Sequence, residues 1–102
     1  MVKILLCCAA GMSTSMVVSK MRQSASAKGI EAHIEAVGLE EFEGNLPNFD
    51  CVLLGPQIKY KLNDFKEKAD AVNKPIAVMN QMDYGMMKGE KILNDAIAML
   101  NR

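Results

Sequence analysis

Apolar and polar positions fall into blocks of alternating period along this chain. Val2 to Cys7 is an almost unbroken apolar run, the pattern of a strand covered on both faces. From Ser13 the spacing turns helical, with Val17, Met21 and Ala25 four apart, and Lys28-Gly29 supplies a basic last turn and a C-terminal glycine. The next segment alternates: Ile30, Ala32, Ile34 and Ala36 share one face, and Glu31, His33 and Glu35 the other, as in a strand with one wet face at a sheet edge. Gly38 to Asn48 is acidic and broken by Gly44 and Pro47, which predicts a short helical turn near Leu39–Phe42 and then loop. Cys51 to Leu54 is a second doubly covered run, ended by Gly55-Pro56, where proline suits a helix start. Ile58, Leu62, Phe65, Ala69 and Val72 then trace the clearest amphipathic stripe in the chain. Pro75 to Met79 predicts a fourth strand, and Ile92, Leu93, Ala96, Ile97 and Leu100 mark a closing helix.

Strands alternating with helices predict an α/β fold: a four-stranded parallel open sheet with right-handed crossovers and helices on both faces, a three-layer sandwich. The doubly covered first and third runs belong in the centre and the alternating second run outside the first, which gives the order 2-1-3-4. The winding reverses between strands one and three, and open α/β sheets bind ligands at the carboxyl ends of the strands at such a switch point. The segments that meet there are Cys8 to Ser15 and Gly55-Pro56-Gln57.

At 102 residues the chain reads as one domain, 1–102, and its 12 basic and 12 acidic residues leave no broad field to draw it to nucleic acid or an anionic membrane. Three cysteines, at 7, 8 and 51, form an odd set without C-x-x-C spacing, which argues against a disulfide framework and zinc and for a reducing cytoplasm. His33, the only histidine, stands between glutamates on the wet face, so neither a metal nor a cofactor is expected. No stretch approaches the roughly 18 apolar residues of a membrane helix. Ile4 to Ala10 is a minimal run without a cleavage site, so direct membrane insertion and export are not expected.

A connection from a strand end to a helix start directs free backbone N–H groups and the positive end of the helix dipole at one point, a ready site for phosphate. Ala9, Ala10 and Gly11 leave those amides uncovered, Ser13, Thr14 and Ser15 add hydroxyls, and the cradle runs from Ala9 through Met12 to about Met16. A cysteine at its rim is favoured as thiolate and becomes a nucleophile. Cys8 is placed for attack on phosphorus, with Cys7 the alternative if the strand ends a residue earlier. The bland reading, a small buried side chain, is retained for Cys7 and Cys51. Cysteine phosphatases use a similar strand-loop-helix but need arginine six residues after the nucleophile, where this chain has Thr14, or Ser13 counted from Cys7. A phosphoryl carrier therefore fits better than a small cysteine phosphatase, and a non-catalytic anion-binding module is the third reading.

On Cys8-Ala9-Ala10-Gly11-Met12-Ser13-Thr14-Ser15, Val17-Val18-Ser19-Lys20-Met21, Val52-Leu53-Leu54-Gly55-Pro56-Gln57-Ile58 and Asp83-Tyr84-Gly85, the chain resembles a bacterial family. This is the IIB component of the phosphoenolpyruvate-dependent sugar phosphotransferase system, in its lactose/chitobiose (cellobiose-type) branch. The resemblance implies a phosphocysteine at Cys8, loaded by the phosphohistidine of a IIA protein and unloaded onto a sugar bound by the IIC membrane transporter. The sugar it implies is a β-linked disaccharide such as cellobiose, chitobiose or lactose. Family members often carry serine where Ala9 stands, and a single cysteine rather than a pair.

Around the same end of the sheet, Gln57 is read either as a phosphoryl contact or as a helix-start residue, and Asp83 and Tyr84 as rim residues, Asp83 as a helix cap or docking residue. Met12, Met16, Met82, Met86 and Met87 map there too. Methionine adapts to unlike partners, and Met12 and Met82 are the best docking candidates, with core filling expected for most of the others.

Overall fold

A computed structural model describes residues 1–8 and 12–100, at 12–14 the backbone alone. Four parallel strands, β1 (Val2–Cys8), β2 (Ala32–Gly38), β3 (Cys51–Leu54) and β4 (Ile76–Val78), lie in the order β2-β1-β3-β4. That is the expected order, and β2 takes the edge that its alternating pattern foretold.

Helices α1 (Met12–Ala27) and α5 (Gly89–Leu100) cover one face of the sheet. Their Val17, Val18, Met21, Ile92, Leu93 and Ala96 pack with Ile4, Leu6, Ile34 and Leu53. The helices approach so closely that a Cβ on Gly89 would lie 2.5 Å from the backbone carbonyl carbon of Lys20, a spacing only glycine permits. On the other face, α2 (Phe42–Asn45) and α3 (Leu62–Ala71) close an aromatic core of Phe42, Phe49 and Phe65 over Leu5, Cys7, Val52 and Leu54. The rings of Phe42 and Phe65 stack with centroids 4.0 Å apart.

Helix α1 ends as the sequence predicts. Gly29 adopts φ +70 and the N–H of Ile30 donates to the Ala25 carbonyl at 2.9 Å, a Schellman closure. Asn73 (φ 59) closes α3 in the same way, with the N–H of Lys74 donating to Ala69 at 2.9 Å.

Three expectations are corrected. The segment after β2 is not a turn and loop but a 3-10 turn (Leu39–Glu41), α2 and a second 3-10 turn (Leu46–Asn48), because Phe42 and Leu46 are buried and pull the chain onto the sheet. The stripe read from Ile58 is not one helix: residues Pro56–Lys61 form 3-10 turns with a kink at Ile58 (φ -116, ψ 26), and Val72 at the helix end is 43% exposed. A short helix absent from the sequence reading, α4 (Gln81–Gly85), precedes α5.

Candidate functional site

Strand β1 runs one residue further than its apolar pattern, to Cys8, which pairs with Gly38 of β2. Consecutive strand residues point to opposite faces, so Cys7 and Cys8 diverge. Cys7 joins the aromatic core with no exposure, and its thiol donates to the Gly38 carbonyl at 3.6 Å. Burial first, then the neighbouring Cys8 and Glu41, push its pKa from 9.0 up to about 12. Burial, with Asp50 adding to it, lifts Cys51 likewise to about 12. Both thiols are thereby held protonated and walled off. Cys8 is 2% exposed and lies on the α1/α5 side, at the carboxyl end of the central strand.

Of the expected phosphate cradle, Ala9, Ala10 and Gly11 lie outside the described residues, as do the side chains of Met12, Ser13 and Thr14. Helix α1 begins at Met12, four residues beyond Cys8 in the sequence, and carries no acidic residue in its first turn. The first turn of α1 therefore adds no carboxylate of its own against the helix dipole. Ser15 is exposed and shares a groove of about 440 Å³ with Arg22, Glu35, Glu41 and Asn45. Met16, also on the first turns, is 58% exposed.

The second segment at the switch point meets the first. The N–H of Gly55 donates to the Cys7 carbonyl at 2.8 Å, which extends the β1–β3 pairing past Leu54. A Cβ placed on Gly55 would stand 3.2 Å from the Cβ of Cys8 and 2.9 Å from Oε1 of Gln57. Gln57 thus folds back toward the cysteine across a glycine. Its outer side lines a cleft of about 500 Å³ with Pro56, Lys59, Gln81, Tyr84 and Gly85, so Gln57 and Tyr84 share one rim.

Asp83 departs from its expected place. The cap of α4 is Asn80, whose Oδ1 accepts from the N–H groups of Met82 at 2.9 Å and Asp83 at 3.1 Å. Asp83 itself is 9% exposed, with Oδ2 3.7 Å from Nζ of Lys91, so it ties α4 to α5 instead of facing the cleft. Asn80 followed three residues later by Asp83 is the signal in the sequence that marks this helix start. Met82 and Met86 are 70% and 63% exposed, whereas Met87 packs against the core, as Met21 and Met79 do.

Arg22 is the other residue the sequence did not single out. Its Nε and Nη2 both donate to the Ile34 carbonyl, so this guanidinium is engaged at the outer strand. The sequence has only one further arginine, Arg102. Among the described residues no group of three His, Cys, Asp or Glu is arranged to hold a metal ion, and no helix is long and apolar enough to cross a membrane.

Residues 3–95 match the family described as "PTS system, Lactose/Cellobiose specific IIB subunit". The chain belongs to this IIB family. It is similar to the oligo-beta-mannoside-specific EIIB component of Bacillus subtilis, at 39% identity over 98% of this chain and 97% of the relative. It is similar also to the galactose-specific EIIB component of Lactococcus lactis, at 39% identity over 96% of this chain and 95% of the relative. Among solved structures, the cellobiose-specific IIB component from Borrelia burgdorferi superposes with a TM-score of 0.83 at 41% identity, covering 98% of this chain and 92% of that one. This IIB component is accordingly a sugar-specific part of a phosphotransferase system, a class of transferases that works with IIA and IIC partners in sugar uptake.

Proposed function

We propose that Cys8 is the phosphoryl carrier: its thiolate accepts PO3 from a phosphohistidine of IIA and yields it to a sugar held by IIC at the cytoplasmic side of the membrane. The observation that carries this reading is the divergence of the two adjacent thiols. Cys7 and Cys51 are shut into the core with pKa values near 12, while Cys8 stands at the end of β1, four residues before α1 begins in the sequence, and next to the Gly55–Gln57 turn. A phosphoryl group on that sulfur would meet the positive end of α1, the electrostatic arrangement that stabilises both the thiophosphate and the transfer transition state. Because Cys8 keeps 2% of its exposure, a docked protein donor suits it better than a freely diffusing phosphate ester. With Arg22 engaged at Ile34, no arginine among the described residues is free to speed hydrolysis, which favours a carrier over a phosphatase.

The sugar is a β-linked disaccharide of the cellobiose, chitobiose or lactose type. Relatives named for oligo-β-mannoside, galactose and cellobiose share nearly the same identity with this chain, 39%, 39% and 41%. That similarity favours a reading in which the membrane partner selects the sugar. Intact-mass measurement after incubation with phosphorylated IIA tests the site. One added phosphoryl group is expected, lost in Cys8→Ala and kept in Cys7→Ala; loss in Cys7→Ala with retention in Cys8→Ala refutes the assignment.

A further inference from the structure

We propose that Gln57 is a catalytic residue of the Cys8 reaction: its carboxamide, whose Oε1 borders Gly55 in the unphosphorylated protein, turns to donate an Nε2–H hydrogen bond to an oxygen of the phosphoryl group on sulfur, with Gly55 as the slot that admits it. The inference rests on the reading of Cys8 as carrier.

Two positions two residues apart cooperate to bring this side chain in. Gly55 is buried, and a Cβ there would come to 2.9 Å from Oε1 of Gln57, a distance at which something must move. The same Cβ position is 3.2 Å from the Cβ of Cys8, so carboxamide and cysteine flank one point. Pro56 and the N–H of Ile58, which donates to the Gly55 carbonyl at 3.0 Å, hold the turn that directs Gln57 backward. Gln57 is exposed on its other side and lines the cleft with Tyr84 and Gln81. It can therefore contact a group entering at Cys8 without being sealed in.

The chemistry fits an amide. In loading, the Sγ–P bond forms as the P–N bond of the donor phosphohistidine breaks; the electron pair stays on the imidazole nitrogen, which takes a proton from solvent. In unloading, a sugar hydroxyl forms the O–P bond, the S–P pair returns to sulfur as thiolate, and the hydroxyl proton leaves to solvent. Both transition states place negative charge on the equatorial phosphoryl oxygens, where one donor aimed from the side assists each direction. A neutral amide gives this without the full charge of a guanidinium, whose charge-assisted bonds are roughly twice as strong. The phosphocysteine is thus held for a partner and not driven to water.

The test measures loading of Cys8 by phosphorylated IIA in rapid-quench experiments, and the 31P resonance of the phosphocysteine, for Gln57→Ala, Gln57→Glu and Gly55→Ala. Removing one such donor is expected to slow loading at saturating IIA by about 100-fold, the lower end of what donor deletions cost. Gln57→Glu, which keeps the shape but sets a carboxylate against phosphate, is slower still, and the 31P resonance shifts in both. Gly55→Ala, with its cooperative thermal transition retained, slows loading in the same direction by displacing Gln57. Unchanged loading and an unchanged resonance in both Gln57 variants, with Cys8 still phosphorylated, overturn the inference alone. Phosphorylation elsewhere than Cys8 in the unaltered protein overturns the carrier reading and this inference with it.

Discussion

On the α2/α3 side of the sheet, stacked Phe42 and Phe65 share a core with a Cys7 that has no exposure, whereas on the α1/α5 side aliphatic residues let two helix backbones touch at Gly89 and Lys20. The two faces use different means of exclusion. Large rings fill the first, and close backbone approach fills the second. Adjacent cysteines are sent to opposite faces: the aromatic side holds Cys7 as a buried thiol whose pKa is pushed up to about 12, while Cys8, the last residue of β1, turns to the α1/α5 side. Two neighbouring residues of one strand thus meet different surroundings because their positions send them to opposite faces.

The largest stability effect should come from breaking the aromatic side. Phe42→Ala removes a ring with no exposure and its stacking partner contact, at a cost of about 3–5 kcal/mol. Urea unfolding would measure it, and the surviving folded fraction should still load Cys8 at the normal rate. On the other side, Gly89→Ala forces a methyl group against the Lys20 backbone, and α5 must move outward at a cost of about 1–3 kcal/mol. A lower transition temperature is the expected readout; an unchanged one would mean that the helices are not locked as described.

The subtlest contrast is titration. The thiols of Cys7 and Cys51 have folded pKa values raised from 9.0 to about 12. The unfolded chain therefore loses these protons first as pH rises. Their contribution to stability is complete below pH 9 and is lost progressively between pH 9 and about 12. Denaturant midpoints should fall across that window, and the fall should be shallower in Cys7→Ala and Cys51→Ala. Equal slopes in the variants would place the alkaline loss elsewhere.

Much of the architecture was legible because period reports face. Alternation in Ile30–Ala36 marked the edge strand, continuous apolar runs marked the central pair, and Gly29 marked the end of α1. Legibility failed where tertiary contact overrode local pattern. Phe42 and Leu46 draw helical turns out of a segment that reads as loop, and the Gly55-Pro56 turn delays α3 until Leu62 although the stripe looks continuous from Ile58. Asp83 reads as a helix cap or docking residue, yet Asn80 takes the cap position and Asp83 turns to Lys91.

By itself the sequence determined the order of the elements and the switch point between the first and third strands. These follow from side-chain period and turn chemistry, which act over a few residues. Only the tertiary structure decided that Cys7 is sealed beside Gly38, that Arg22 is engaged at Ile34, and that Gln57 and Cys8 both flank Gly55. Each of those joins segments distant along the chain, and their approach is set by how helices and strands pack, a quantity no local pattern carries.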